Sequence, residues 1–346
     1  MTNAAKSSPL PALSRLDVRN LITDVPGIRI GHAEDLRLGS GATAIVFDAP
    51  AVASIDVRGG GPGTRETALL DPAQTVEGID AITLSGGSAF GLDAASGVQA
   101  WLKEKGRGFV VRTARVPIVP AAILFDLLGA GDKDWGRYPP YRELGYAAAA
   151  AASSEFALGS VGAGTGATTV NCKGGIGSAS TQTPGGHVIG ALAAVNAAGS
   201  VVVDRGPWFW ASPFECDAEF GGHGLPSPFP ATALEPSTKG TARASTTLVV
   251  VATDAILTKA QAKRLAVMAQ SGLSRAIYPV HTPLDGDVVF SASTGRRPLA
   301  DPLLELTTLG AIAANVVARA IARGVYTASA LPLPGAMPSW RDQFPR

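Results

Sequence analysis

An uninterrupted run of apolar, mostly β-branched residues occupies positions 248–252 of the chain. A run of this kind is typical of a β-strand that is buried on both faces. The segment before it, 237–244, is small and polar, which is typical of an exposed loop. The pattern therefore places a hydroxyl residue, Thr246, where a loop meets a rigid core strand.

The rest of the chain alternates between short apolar stretches, which predict strands, and longer stretches with helical periodicity. Strands are predicted at 28–30, 42–47, 51–57, 79–84, 188–196, 200–203 and 288–292, and helices at 88–104, 141–154, 258–272 and 303–323. The strands 188–196 and 200–203 are predicted to form a hairpin with Asn196 at its bend. The alternation favours a layered α/β fold in which helices cover stacked sheets.

Two segments lack a regular pattern. Residues 1–18 predict a loosely ordered N-terminal extension. The connection 205–245 is rich in Pro, Gly, Ser and Trp, and a connection of this length in a compact chain is usually functional or mobile. A break in the backbone would be tolerated there.

Composition excludes several classes of function. The 346 residues are 46% hydrophobic and 16% charged, which favours a large buried interior or a substantial oligomer interface. The net charge of +1 and the few aromatic residues argue against nucleic acid or an acidic membrane surface as a partner. No stretch approaches the roughly 20 apolar residues of a membrane span, and residues 1–16 do not resemble a signal peptide. We therefore expect a cytoplasmic protein.

Cysteine and histidine usage argues against a disulfide framework and against a zinc site. There are two cysteines and four scattered histidines, and no CxxC pair. The run 58–63 contains four glycines, but it lacks the Gly-Lys-Ser/Thr of a phosphate loop, so a backbone that passes close to another segment explains it better. We expect neither a metal nor an organic cofactor.

Two other positions allow both a structural and a chemical interpretation. Gly86, Gly87 and Ser88 form a turn into a predicted helix, where free backbone N–H groups would suit an anion or a developing oxyanion. Tight strand–helix packing explains the same glycines equally well. Lys173 is the single charged residue between Val161 and Val188, and it predicts either a solvated loop tip or a site residue with altered protonation.

Thr246 also has two interpretations. It is either a plain strand start or a new N-terminus that forms when the chain cuts itself. In the second case its hydroxyl would be the nucleophile and its freed amine the base. An α-amine has a pKa of roughly 7.7–8, so enough of it is unprotonated near neutral pH to accept the hydroxyl proton. Asp285-Gly286-Asp287 predicts a plain β-turn, because the rest of a calcium loop is missing.

Six motifs together resemble the L-aminopeptidase/D-esterase (DmpA-like) family of self-processing hydrolases, which includes β-peptidyl aminopeptidases and a nylon-oligomer hydrolase, the 6-aminohexanoate-oligomer endohydrolase. The resemblance runs in order from residue 20 to about residue 325. The motifs are NLITDVPGIRIGH (20–32), DVRGGGPGTRE (56–66), LSGGSAFGL (84–92), VGAGTGA (161–167), TTLVVVATD (246–254) and HTPLDGD (281–287).

The resemblance implies the fold, the processing and the assembly. The fold would be a four-layer αββα sandwich, as in the DmpA-like and ornithine acetyltransferase-like proteins, formed by one domain at 19–345. The precursor would split between Ser245 and Thr246 into an α-chain, 1–245, and a β-chain, 246–346. The two chains would stay associated, as a homotetramer of αβ heterodimers that acts on small peptides or amides.

The resemblance also implies residue roles. Thr246 matches the nucleophile and Asn196 the oxyanion-stabilising asparagine. Lys173, Asp285 and Asp287 match site residues of the nylon-oligomer branch, and Thr246 also follows that branch, since the aminopeptidase branch has serine. Two positions depart from that pattern: Ser245 stands where that branch has asparagine, and Phe125 stands where a tyrosine is expected to line the site.

Two other functions stay open from sequence alone. An acyltransferase resembling the ornithine acetyltransferases would share a threonine nucleophile and a similar layered fold. A non-catalytic assembly or binding protein could keep the fold with a decayed site. Faster transfer of an acetyl group than hydrolysis would indicate the first alternative, and absence of any turnover would indicate the second.

Overall fold

The computed structural model describes residues 19–239 and 245–345. The predicted extension 1–18 therefore lies outside the described residues, as do 240–244 of the long connection. The strands and α-helices are β1 (Ile28–Asp35), β2 (Ser40–Val57), β3 (Thr64–Arg65), β4 (Ile79–Ser85), α1 (Ala94–Glu104), β5 (Phe109–Val111), β6 (Ala114–Val116), β7 (Ala121–Ile123), α2 (Tyr141–Ala150), β8 (Gly175–Gln182), β9 (Val188–Asn196), β10 (Thr246–Ala255), α3 (Lys259–Ala269), α4 (Ser271–Ala276), β11 (Val288–Arg297), α5 (Pro302–Tyr326) and α6 (Trp340–Gln343).

The long strand β2 connects two sheets. The strand order is β3-β7-β4-β2-β11-β10-β9-β8, and β1 also pairs with β2. The first half of β2 pairs with β4, its second half pairs with β11, and the register shifts between Val46 and Ala51. The strands predicted at 42–47 and 51–57 are therefore two halves of one strand. The segment between them, 48–50, is exposed and lies where the strand leaves the first sheet for the second.

Three hydrophobic clusters separate four layers. The central cluster joins the facing surfaces of the two sheets and includes Phe47 from β2, Leu192 from β9 and Phe290 from β11. The outer face of the first sheet packs on α1 and α2. The outer face of the second sheet packs on α3, α4 and α5. This is the predicted αββα sandwich.

Strand β10 lies in the interior of the second sheet, between β9 and β11. Leu248, Val250 and Ala252 contribute to the central cluster. Val249 and Val251 contribute to the cluster under the helices. Because successive side chains of a strand point to opposite faces, a strand covered on both sides must be apolar at every position. The prediction from the apolar run is confirmed.

Helix α5 corrects one expectation. Among the described residues it is the one helix long and apolar enough to cross a membrane, judged by length and composition alone. The expectation that no stretch approaches the length of an apolar membrane span is therefore wrong. Most of this helix is buried against β8, β9, α3 and α4, and the core helix of a soluble protein passes the same test.

The predicted hairpin 188–203 is wrong. Strand β9 pairs with β8 on one side and with β10 on the other, both antiparallel. Ser200 and Val202 form only isolated bridges, to Tyr278 and Phe209. Asn196 therefore lies at the end of an interior strand instead of at a hairpin bend, and this places it beside the start of β10.

Candidate active site

Three strand ends of the second sheet meet at Thr246. Thr246 is the first residue of β10, and its register partner is Asn196, the last residue of β9. On the other side, β10 runs parallel to β11, so Leu248 pairs with Val288. Asp287 immediately precedes β11 and thus lies beside the start of β10. The sheet topology therefore brings together the threonine, the asparagine and an aspartate from distant parts of the chain.

The peptide bond before Thr246 is held at the centre of this arrangement. The hydroxyl of Thr246 donates a hydrogen bond to the carbonyl oxygen of Ser245 at 2.5 Å. The backbone N–H of Gly286 donates to the same oxygen at 2.8 Å, and the N–H of Ser245 donates to Leu284 at 3.0 Å. Thr246 is only 3% exposed in this continuous chain. The candidate nucleophile therefore lies on the bond that it is predicted to cut.

The amide of Asn196 is fixed by hydrogen bonds on both sides. Its Nδ2 donates to the carbonyl oxygen of Phe125 at 3.0 Å. Its Oδ1 accepts from the backbone N–H of Thr168 at 3.0 Å and from Nζ of Lys239 at 3.2 Å. Since the donors and acceptors around it differ, they define which end of the amide is the N–H donor.

The two aspartates are buried, and hydrogen-bond donors surround both. Asp285 accepts from the backbone N–H of Ala198 at 3.1 Å and from the N–H and hydroxyl of Thr282. Asp287 accepts from the N–H of Thr247 at 2.8 Å and from both N–H and Nδ1 of His281. Burial, and then the charge of Asp287, raise the pKa of Asp285. The plain β-turn explanation of these residues therefore omits their position beside the candidate nucleophile, Thr246.

Lys173 is fully buried, so the interpretation as a solvated loop tip is wrong. Its Nζ donates to the carbonyl oxygens of Gly164, Ala167 and Gly174 at 2.8–2.9 Å. An ammonium group supplies one N–H to each of these three carbonyls. Burial outweighs the attraction of Asp126 and lowers the pKa of Lys173 from 10.5 to about 7.

This lowered pKa gives a pH dependence of stability. The unfolded chain keeps the proton of Lys173 up to about pH 10.5, whereas the folded chain releases it near pH 7. Between these values the unfolded state binds more protons, so the free energy of unfolding rises with pH by at most about 1.4 kcal/mol per pH unit. The free energy of unfolding, measured with urea at pH 7.5 and 9.5, should increase more with pH for the wild type than for Lys173→Met. A pH-independent difference would contradict this assignment.

A cavity of about 300 Å³ adjoins Asn196. The cavity is lined by Phe125, Thr168 and Lys239, which hydrogen-bond to the side chain of Asn196, and also by Lys173 and residues 335–338. Thr246 does not line the cavity in the continuous chain. Sequence reasoning placed Phe125 and Lys173 near the site but missed Thr168 and Lys239, because small polar and lysine residues in loops carry no distinctive pattern.

The predicted anion site at Gly86, Gly87 and Ser88 is not formed by free N–H groups. Their N–H groups donate to Gly41 O, to Oδ1 of Asp126 and to Leu124 O. These residues do not line the cavity. Close packing explains these glycines instead. A Cβ on Gly86 would lie 2.2 Å from Oδ2 of Asp126, and a Cβ on Gly87 would lie 2.1 Å from Cζ of Tyr141, the first residue of α2.

Asp126 is a buried carboxylate that the sequence analysis did not select. It lines the cavity, accepts from the hydroxyl of Ser40 at 2.6 Å, and is 3% exposed. Its burial raises its pKa. The available signal was a single acid in the apolar segment 116–127. Within 19–239 and 245–345, no group of three or more His, Cys, Asp or Glu residues could hold a metal ion.

The family model for peptidase family S58 matches residues 20–336 of the chain. The chain belongs to peptidase family S58. It is therefore a hydrolase of peptide or other amide bonds, as the sequence resemblance implied. An uncharacterized aminopeptidase of Mycobacterium tuberculosis (strain H37Rv) is 42% identical over 347 residues, which cover 94% of this chain and 98% of that protein.

The 6-aminohexanoate-oligomer endohydrolase of Kocuria sp. (strain KY2) is 28% identical over 319 residues, covering 85% of this S58 chain and 82% of that protein. Among solved structures, a Burkholderia sp. β-aminopeptidase matches with a TM-score of 0.67 at 23% identity, covering 97% of this chain and 93% of that one. The L-aminopeptidase D-Ala-esterase/amidase of Ochrobactrum anthropi, described as a variant of the Ntn hydrolase fold, matches with a TM-score of 0.69 at 21% identity, covering 94% and 91%. These structures support the four-layer fold.

Proposed function

We propose that this protein is a self-cleaving N-terminal-threonine amide hydrolase. The precursor cuts the Ser245–Thr246 bond, and Thr246 then attacks substrate amides and forms an acyl-enzyme. One observation supports the proposal above all others: the hydroxyl of Thr246 contacts the carbonyl oxygen of Ser245 at the point where the ends of β9 and β10 meet. A plain strand start does not require this contact or the two buried aspartates beside it.

The surrounding residues supply the other parts of the reaction. After cleavage, the amine of Thr246 takes the hydroxyl proton during attack on a substrate. Asp285 and Asp287 hold and orient the ammonium that forms, since opposite charges in a buried site attract strongly. Asn196 stabilises the oxyanion with its fixed amide, and water then releases the acyl group. The family relatives carry hydrolase names, which favours water over an amine as the acceptor.

Intact mass under denaturing conditions tests the proposal. The purified wild type should give two fragments, 1–245 and 246–346, that remain together under native conditions. Fragments cut elsewhere, or an active protein that stays whole, would contradict it.

We propose small peptides or amides as substrates, with the acyl part bound in the cavity beside Asn196. Recognition of a free amino terminus would require a carboxylate facing the bound ammonium group. Along the described lining of the cavity, Asp126 is the acidic residue, and its two oxygens already accept from Ser40 and Gly87. This supports an enzyme that does not depend on a free substrate amine, in line with the endohydrolase relatives.

A matched pair of substrates tests this preference. A hydrogen bond to a charged group is worth about 1.5–3 kcal/mol, which is more than tenfold in rate. We therefore compare an amino-acid p-nitroanilide whose α-amine is acetylated with the same compound whose α-amine is free. Their kcat/KM values should differ by less than about tenfold. A preference above about 100-fold for the free amine would show a strict aminopeptidase.

We also propose a cytoplasmic homotetramer of αβ heterodimers. The hairpin β5–β6 supports an assembly, because its side chains are exposed and Phe109, Val110, Val111 and Val116 form an apolar surface. Exposed apolar surfaces of this kind commonly mark protein interfaces. Light scattering on the processed protein distinguishes a tetramer from a single αβ pair.

A further inference from the structure

We propose that the backbone N–H of Gly286 is the oxyanion donor for self-cleavage, and that the glycine run 58–63 holds this N–H in place. The inference rests on the proposed self-cleavage at Thr246 and assigns a donor specific to that step. It also gives a role to the glycine run, which the hydrolysis of external substrates does not explain.

The peptide group between Asp285 and Gly286 is hydrogen-bonded at both ends. Its N–H donates to the carbonyl oxygen of Ser245 at 2.8 Å. Its carbonyl oxygen accepts from the N–H of Gly61 at 2.8 Å. Ser245 and Asp285 also form a parallel bridge, which aligns the two segments. Gly61 therefore orients the peptide group whose N–H contacts the carbonyl that must be attacked.

The glycines allow the two backbones to approach. The N–H groups of Arg58 and Gly59 both donate to the carbonyl oxygen of Asp287. A Cβ on Gly59 would lie 2.2 Å from the nitrogen of Asp287 and 2.4 Å from the carbonyl oxygen of Asp285. A Cβ on Gly60 would lie 2.7 Å from Cα of Pro283. Any side chain at these positions would push the loop 281–287 away from Ser245.

Asn196 does not occupy this role in the continuous chain. Among the described residues, the carbonyl oxygen of Ser245 accepts from Gly286 and Thr246. The Nδ2 of Asn196 donates to Phe125 instead. The geometry therefore separates two oxyanion donors around one nucleophile, Gly286 for the chain's own peptide bond and Asn196 for external substrates.

Self-cleavage requires these groups and one water molecule. Oγ1 of Thr246 forms a bond to the carbonyl carbon of Ser245, and the carbonyl electron pair moves to the oxygen that Gly286 contacts. Collapse of this intermediate breaks the C–N bond, and the hydroxyl proton ends on the departing amine of Thr246. The resulting ester is hydrolysed by water, which leaves a carboxylate on Ser245 and restores the hydroxyl of Thr246.

Two variants at Gly61 test the positioning role without altering the nucleophile loop. The nearest atom to a Cβ on Gly61 is 3.8 Å away, so alanine fits and keeps the N–H. Proline removes the N–H and places its Cδ against the carbonyl oxygen of Asp285, so it breaks the contact that holds this peptide group. We expect Gly61→Pro to be cut about tenfold more slowly than Gly61→Ala, with both followed by intact mass after rapid purification. Equal rates would overturn the positioning role.

Two variants at Gly286 test the donor itself. A Cβ there would lie 2.7 Å from Oγ1 of Thr246, so alanine and proline both crowd the nucleophile, but only proline lacks the N–H. We expect Gly286→Pro to be cut about 100-fold more slowly than Gly286→Ala. Cleavage of both at one rate would overturn the assignment of the donor.

Separate controls distinguish a folding defect in a variant from a failure of the proposed function. Circular dichroism and thermal unfolding of each precursor show whether it is folded, and if Gly286→Pro does not fold, the Gly61 pair decides. A wild-type chain that is never cut before Thr246 would refute the proposed function itself. A wild type that is cut, with equal rates within each pair of variants, would refute this inference alone.

Discussion

A chain carrying Thr246→Ala should stay whole and lose hydrolysis of amide substrates by about 10⁶-fold, the loss typical of removing a catalytic nucleophile. The methyl side chain cannot attack the carbonyl carbon of Ser245, so neither the self-cleavage nor the later acyl transfer can begin. Thr246 is buried, and the variant loses the hydroxyl that contacts the carbonyl oxygen of Ser245. Denaturing mass spectrometry and a p-nitroanilide assay measure both losses.

Thr247→Ala is the matched control for this variant. Thr247 follows directly in β10, and its Oγ1 is buried without a hydrogen-bond partner, while its N–H donates to Asp287. Alanine keeps that N–H and removes the unpartnered hydroxyl together with the γ-methyl group. We expect this variant to be cut and active, and a loss of cleavage as complete as in Thr246→Ala would indicate that the strand start, not the hydroxyl, is what matters.

Asn196→Asp should lower kcat/KM for substrates by about 10²–10³-fold, the usual effect of removing one oxyanion donor. Aspartate keeps the oxygen that accepts from Thr168 and Lys239 but replaces the N–H donor with an acceptor. Turnover should therefore fall more than self-cleavage, since Asn196 does not contact the Ser245 carbonyl. A variant with wild-type kcat/KM would remove Asn196 from the mechanism.

Sequence patterns predicted the parts of this fold that depend on local composition. The apolar run in β10 indicated burial on both faces. The helix predicted at 258–272 corresponds to α3 and α4, and Thr258 and Gln261 exchange hydrogen bonds at its start. The change from the polar segment 237–244 to the apolar run 248–252 located the candidate nucleophile, Thr246, between them. In each case neighbouring residues along the chain carry the signal.

Long-range pairing was less predictable. Strand β9 pairs with β8 and β10 and not with the segment 200–203. This pairing depends on the whole sheet and not on the turn residues near Asn196. Likewise, the exposed segment 48–50 of β2, which contains a proline, resembles a break between two strands, although the strand continues from one sheet to the other. Strand signals identify elements, but burial of both faces decides their partners.

The hydrogen-bond partners of polar groups in the site were also not predictable from the sequence. A lone lysine among glycines is normally solvated, and only the three carbonyls around Lys173 explain its burial. The N–H groups at Gly86, Gly87 and Ser88 are taken by Gly41, Asp126 and Leu124, which lie far away in sequence. Hydrogen-bond partners of this kind become visible only in three dimensions.

The most direct test of the mechanism is to trap the acyl-enzyme. It shows whether Thr246, once it is the N-terminal residue of the β-chain, is the nucleophile. The processed protein is mixed with a slowly released p-nitrophenyl ester, quenched in acid and digested for peptide mapping. We expect an added acyl group on the peptide that begins at Thr246, attached to its side-chain oxygen. An adduct on any other residue, or turnover by chains that still carry the Ser245–Thr246 bond, would contradict it.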